Sequence, residues 1–226
     1  MRKHLEDNQR PAEFTLLGRT WELLDGVFSP TYTPVTELFS SWLPYPRGGT
    51  FLEMGSGAGV TAVVAAQSGC RAVTALDISV AAVENTRRNV RRHGVAETVR
   101  VARSDLFSAL DPDERFDMIF WNSNFAETPK GFVNETELHH AFFDPRYDAH
   151  RRFLIEAPTR LTENGRLMLG FCSIGNIGLL TELCGRARLR ALPLRSERRQ
   201  IDPNTMLEFQ LLELHPIWSM AGSARS

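Results

Sequence analysis

Lysine is nearly missing from this chain of 226 residues: only Lys3 and Lys130 carry an ammonium group, and every other basic side chain besides histidine is arginine. Lys and Arg together number 26 against 27 Asp and Glu, a net charge of −1. That balance excludes bulk electrostatic attraction to nucleic acid as the basis of function. Cysteine is also scarce. Cys70, Cys172 and Cys184 form no CxxC pair and leave an odd count. This excludes a disulfide framework, offers no zinc signature and suits a reducing compartment. No apolar run approaches the roughly 20 residues that span a bilayer, so a membrane is not an expected partner. The opening Met1-Arg2-Lys3-His4-Leu5-Glu6-Asp7 has no apolar stretch of the secretory kind, and the expected location is the cytoplasm. Internal repeats and low-complexity tracts are absent.

The residues that are present suit one globular domain. Hydrophobic residues make up 42% and charged residues 23%, and this length can bury a substantial core. Arginine clusters occur at Arg87-Arg88, at Arg91-Arg92 and from Arg186 to Arg199. The first two share a predicted helix with apolar Val83 and Val90, which reads as a solvated outer face, with an RNA-facing patch as the alternative. Residues 1–47 read as an N-terminal helical extension or lid, 48–216 as the main domain, and 217–226 as a tail. Within the extension, Phe14, Leu16, Leu17, Trp21, Leu23 and Leu24 predict an amphipathic helix over 13–29. Pro30, Pro34, Pro44 and Pro46 punctuate the rest of the extension, with a short helix over 35–42 between them.

From Gly48-Gly49 onward strands and helices alternate. Strands are predicted at 50–54, 71–76, 98–102, 116–121 and 165–171, and helices at 58–68, 79–93, 148–161 and 174–187. Ser79 reads as an N-cap and Gly94 as a stop. Residues 188–194 and 205–214 read as a closing antiparallel hairpin. Strands apolar throughout, rather than alternating, predict a parallel sheet covered on both faces. The fold class expected is α/β, doubly wound and Rossmann-like. A long connection over 122–147 breaks the rhythm, and connections of that length in compact domains tend to be functional.

The most informative motif is Phe51-Leu52-Glu53-Met54-Gly55-Ser56-Gly57-Ala58-Gly59. Glycines directly after a first strand let the backbone turn sharply and approach a ligand. Asp77 closes the second strand, where a carboxylate can take both ribose hydroxyls of an adenosine, or alternatively cap the next helix. Asp105 follows the third strand, where it can accept from an adenine amino group or serve as a turn residue. Ile78 and Leu106, next to these acids, complete the expected cofactor contacts. In Gly55-Ser56-Gly57-Ala58-Gly59 the third glycine arrives one residue early for the dinucleotide fingerprint. Glu53 would repel a pyrophosphate but suits a ligand bearing a sulfonium and an ammonium. S-adenosylmethionine (SAM) is therefore preferred over NAD(P) as the cofactor.

Residues 50–171 resemble the class I SAM-dependent methyltransferases, and within them the HemK-type branch of protein-glutamine methyltransferases and related small-domain enzymes. Glu53 to Gly59 matches the family's glycine motif, Asp77 its ribose acid and Asp105 its adenine-contacting acid. The resemblance implies a mostly parallel sheet of seven strands, the last antiparallel, and S-adenosylhomocysteine as product. Asn122-Ser123-Asn124-Phe125 is similar to the family's Asn-Pro-Pro-Tyr, in which the asparagine grips the acceptor nitrogen and also abuts the cofactor. Here Ser123 and Asn124 replace both prolines and Phe125 the tyrosine, which frees the loop's φ angles. An ordinary strand-end turn is the alternative reading.

Further acceptor contacts are expected from Tyr32 and Thr33 in a segment preceding the main domain, and from His139, His140 and Tyr147 in the long connection. The histidines and acids there fit no standard ligand spacing, so no metal is expected; a general base or a loop histidine are the readings left. The leading expectation is methyl transfer to nitrogen, or oxygen, of a small molecule in specialised metabolism (natural product biosynthesis), with Asn122 catalytic. A protein or peptide glutamine amide is the runner-up and rRNA third. A SAM-binding scaffold without transfer activity and an NAD(P) oxidoreductase are the readings from other classes.

Overall fold

The computed structural model describes residues 11–129, 131–133 and 135–217; the polar stretch 1–10 and tail positions 218–226 lie outside them. Seven strands form one sheet: β3 (Thr50–Met54), β4 (Ala72–Asp77), β5 (Val99–Arg103), β6 (Phe116–Asn122), β9 (Leu161–Cys172), β10 (Leu189–Asp202) and β11 (Thr205–Pro216). Their spatial order is β10-β11-β9-β6-β3-β4-β5. All neighbours from β5 through β9 pair in parallel, and β11 runs antiparallel to both β9 and β10. This is the Rossmann-like α/β sheet expected from the unbroken apolar runs. Phe51, Leu52, Ala75, Leu76, Ile119 and Phe120 are fully buried, because helices cover both faces.

One face carries α1 (Val35–Trp42), α2 (Val60–Gln67) and α3 (Val80–Arg92); the other carries α4 (Asp148–Glu156) and α5 (Ile177–Arg186). Helix α1 packs against the sheet because Gly170 has no side chain, and a Cβ there would lie 2.6 Å from the Phe39 ring. Helix α3 begins where the Ser79 hydroxyl accepts from Ala82 N at 3.3 Å, ends with Arg91 and Arg92 against the negative pole, and stops at Gly94 with φ +68°. Among its arginines, Arg88 meets Glu84 at 3.0 Å and Arg92 meets Glu13 at 2.6 Å, while Arg87 donates to Val101 O at 3.3 Å. These pairs agree with the solvated-face reading of that helix. None of the helices among the described residues is long and apolar enough to cross a membrane.

The predicted helix over 13–29 is a hairpin instead. Strand β1 (Glu13–Leu16) pairs antiparallel with β2 (Arg19–Glu22), joined by Leu17 and Gly18 at φ +52° and +70°. Two successive positive φ values make the tight turn whose twist matches a hairpin, and Gly18 supplies the residue that tolerates it. Phe14 and Trp21 sit opposite each other and are buried, and the Trp21 indole donates to Leu16 O at 2.9 Å. The apolar spacing had two registers available, and tertiary contact with α3 selected the strand register. The helix expected over 35–42 is present as α1, preceded by a turn of 3-10 helix at Pro30–Tyr32. The N-terminal extension is thus a hairpin followed by a helix. The connection 123–147 also has structure: a small parallel pair, β7 (Ala126–Thr128) with β8 (Phe143–Pro145), and a 3-10 turn at Glu137–Ala141.

Candidate functional site

Strand β3 lies between β4 and β6, so the chain winds to one side of it and then returns to the other. At such a switch point the carboxyl ends diverge and leave a crevice. The register Met54 to Trp121 sets Gly55 and Asn122 at the mouth of that crevice. A cavity of about 300 Å³ opens there, at the lower end of the range for small-molecule sites. Its walls come from the glycine loop, the ends of β4 and β6, the segment before α1, the connection 123–147 and the β9–β11 edge.

The glycine loop follows from backbone geometry. Gly55, Gly57 and Gly59 all have positive φ, where an L side chain is strained. A Cβ on Gly57 would meet nothing within 4 Å, so this backbone faces open space. Gly59 serves packing instead. A Cβ there would lie 2.9 Å from the Thr86 methyl, so its absence lets α2 approach α3, and the residue does not line the cavity. Ser56 lines the cavity and hydrogen-bonds Thr86 at 2.9 Å.

Two carboxyl groups reach the cavity from neighbouring strands. Glu53 is 3% exposed, and its Oε2 is buried with no hydrogen-bond partner. Burial pushes its pKa up to about 8, against the opposing effect of hydrogen bonds from Thr61 and the Ala62 backbone. Asp77 accepts from Gly57 N at 2.9 Å through Oδ2 and from Ser79 N at 2.9 Å through Oδ1. Burial raises its pKa while those N–H donors hold it back.

At the far side stands the turn after β6. Asn122 Oδ1 is buried without a partner, and the residue lines the cavity. The two residues that replace prolines are both anchored: the Ser123 hydroxyl donates to Gly170 O at 2.9 Å, and the Asn124 amide donates to His140 O at 3.1 Å and Phe143 O at 2.9 Å. The Tyr147 hydroxyl donates to Phe125 O at 2.6 Å and accepts from Asn176 N at 2.8 Å. Hydrogen bonds therefore supply the rigidity that prolines would have given.

A profile of the family described as methyltransferase small domain matches residues 20–172. The chain belongs to that family. It is 36% identical over 131 residues to the ribosomal protein uL3 glutamine methyltransferase of Bradyrhizobium diazoefficiens, covering 55% of this chain and 40% of that one. It is 33% identical over 129 residues to the release factor glutamine methyltransferase of Rhodopirellula baltica, covering 53% and 43%. The chain spans less than half the length of either curated relative. Among solved structures, the T. thermophilus 16S rRNA N2 G1207 methyltransferase, in complex with AdoMet and guanosine, superposes with a TM-score of 0.64 at 22% identity, over 92% of this chain and 50% of that one. This last likeness speaks for the fold alone.

Methyltransferases of this family work with SAM, and the cavity fits that molecule by its own chemistry. The unpartnered buried carboxyl oxygen of Glu53 suits a ligand that brings positive charge, as a sulfonium does, or a charged donor, as an ammonium does. The Gly57 backbone leaves room for close approach, and Asp77 presents acceptor lone pairs at one end. A pyrophosphate would face two acids.

Of the residues predicted from sequence, the cavity brings together Glu53, Gly55, Ser56, Gly57, Asp77, Asn122, Ser123, Phe125, Thr33 and His140. Others stand outside its lining. Asp105 is half exposed and held by Arg152 through a fork of 3.1 and 2.9 Å. Ile78, Leu106 and Tyr32 do not line it, Asn124 and Tyr147 act from behind as described, and His139 accepts from Glu135 N at 3.1 Å. Sequence reasoning missed the β9–β11 wall, where Cys172, Leu207 and Phe209 enter the lining. No motif marks those positions; they follow from β11 inserting between β9 and β10. It also left Glu137 unassigned.

Proposed function

We propose that this chain is a SAM-dependent methyltransferase that places a methyl group on an amide nitrogen of a glutamine side chain in a protein or peptide. The observation that carries this reading is Asn122 Oδ1, an unpartnered acceptor in the cavity wall beside the glycine loop. An amide N–H held there would satisfy that oxygen and lie across the cavity from the cofactor's end. Methyl transfer is an in-line displacement, so positioning supplies most of what the protein contributes. SAM would supply the electrophilic methyl, its S–CH3 bond breaking to leave S-adenosylhomocysteine as the N–CH3 bond forms, and the proton displaced from the amide nitrogen would pass to solvent. Glu53 and the glycine backbone would bind and orient the cofactor, and Asn122 the acceptor. Phe125 lines the cavity beside it and offers an aromatic wall. Both curated relatives described above are named as glutamine methyltransferases of proteins, which favours this acceptor over the small molecule expected from sequence. Nothing in the comparisons supports a role in natural product biosynthesis.

A second reading keeps a small-molecule acceptor. It is favoured by the aromatic lining at Phe28, Phe125, Phe142, Phe143 and Phe209, which suits a planar apolar group. Methyl-labelled SAM with ribosomal proteins and release factors as acceptors separates the two. The expected outcome is label on a glutamine side chain, located by fragmentation mass spectrometry, and its loss with Asn122→Ala while SAM still binds. Label found only in a small-molecule fraction would replace the first reading by the second. Loss of SAM affinity with turnover per bound SAM unchanged would remove Asn122 from the acceptor role.

A further inference from the structure

Glu137 reaches the cofactor end of the cavity from a part of the chain that is remote from the glycine loop. It opens the 3-10 turn at Glu137–Ala141 in the connection 123–147. Its Oε2 accepts from the Ser79 hydroxyl at 2.9 Å and from Val80 N at 3.0 Å, the first N–H of α3. Ser79 thus carries one acid on each of its donors: Asp77 on the backbone N–H and Glu137 on the hydroxyl. Both acids line the cavity. Burial is the main reason that the Asp77 pKa is raised, and the nearby Glu137 charge adds to it, so the two carboxyl groups repel each other. Arg103 stands 3.8 Å from Glu137 and is largely exposed, a weak counterweight.

Each Asp77 oxygen already takes one backbone N–H, and Glu137 Oε2 takes two donors. What these acids have left to offer is acceptor capacity, directed at a ligand that brings donors and no negative charge. A vicinal diol has that character. A phosphate does not. The same cavity is lined by Glu53, whose Oε2 is buried and unpartnered, so three acids face one space.

We propose that Glu137 is a cofactor-binding residue that joins Asp77 in accepting from the ribose hydroxyls of SAM, so that the connection 123–147 takes up its position as part of the cofactor site. This rests on the SAM reading above. Its consequence for the reaction lies in what Glu137 carries with it: Leu138, His140, Phe142 and Phe143 come next in the same stretch and wall the acceptor side, and Asn124 ties that stretch to the turn after β6. The residue that would touch the ribose and the residues that wall the rest of the cavity thus belong to one continuous stretch.

The test is calorimetric binding of S-adenosylhomocysteine, and of an analogue lacking both ribose hydroxyls, to the full chain and to Glu137→Ala. Glu137→Ala should weaken the natural ligand about tenfold, the worth of one hydrogen bond to a charged group. The analogue should bind both proteins with the same affinity, because the contact is already missing. Glu137→Gln, which keeps the shape and one acceptor oxygen, should recover part of the loss. Equal weakening of both ligands by Glu137→Ala would make Glu137 a structural latch and overturn the proposal, as would unchanged binding of the natural ligand. If the wild-type chain binds no S-adenosylhomocysteine, the SAM reading fails and takes this inference with it.

Discussion

Glu53 is a nearly buried carboxyl group in the cavity wall, and one of its oxygens has no hydrogen-bond partner. With its pKa near 8 it is largely protonated at neutral pH in the cofactor-free protein. A cationic ligand beside it reverses the preference, since an opposite charge nearby favours the carboxylate. SAM binding near pH 7 should therefore release a proton, read by calorimetry in buffers of different ionisation enthalpy, and affinity should rise toward pH 8. An unchanged binding enthalpy across buffers would contradict this. The stability of the free protein follows from the same shift. The folded pKa lies above the unfolded value of 4.5, so the folded state holds the extra proton between them, and stability falls as pH rises from about 4.5 to about 8. Glu53→Gln should flatten that slope and raise the melting temperature at pH 8 by several degrees. That Glu53, Asp77 and Asn122 line one cavity was legible in sequence because Asp77 and Asn122 end their strands and Glu53 stands one residue before the end of its own. Asp105 satisfied the same rule, yet Arg152, 47 residues further on, takes its carboxylate at the surface. No local pattern reveals a partner so far along the chain.

At the scale of elements, the hairpin β1–β2 shows how a short segment is held by another element's side chains. Asn89 on α3 accepts from Glu22 N at 2.8 Å and donates to Glu22 O and Ala58 O at 2.9 and 2.8 Å; Asn85 acts in the same way one turn earlier, with Leu24 N and Glu22 O. Both asparagines are fully buried. Asn89→Ala should cost roughly 2–3 kcal/mol in denaturant unfolding, because it strands buried backbone groups. A cost below about 0.5 kcal/mol, typical of a surface change, would show that the hairpin does not depend on it. The same contacts explain why residues 13–29 read as a helix in sequence while 13–22 fold as a hairpin. Their local apolar spacing allows a helix, and the information that decides for strands sits in Gly18 and in two asparagines more than 60 residues away. The turn after β6 carries the opposite lesson. Its lost prolines suggest looseness, while Ser123, Asn124 and Tyr147 restore its rigidity through hydrogen bonds that no short motif announces.

For the whole molecule, strand order decides where chemistry can occur. The parallel core was legible because β3, β4 and β6 are largely apolar runs that end at a turn or glycine, and because helices alternate with most of the strands; β5 departs from this, an edge strand with Arg100 and Arg103 among its five residues. The extent of β10 was not legible. β11 runs from Thr205 to Pro216, within two residues of the segment expected, whereas β10 continues to Asp202, well beyond 194, because it is an exposed edge with little apolar pattern. Their tip brings Ile201 and Leu207 to the cavity, so the last two strands of the sheet in chain order complete a site begun by the first. The account stands on that crevice holding an adenosyl ligand between the glycine loop and Asn122. A crystal structure of the chain grown with S-adenosylhomocysteine tests this most directly. It should show the ribose at Asp77 and the thioether sulfur facing the Asn122 amide. Density for the ligand elsewhere, or an empty crevice at saturating ligand, would contradict it.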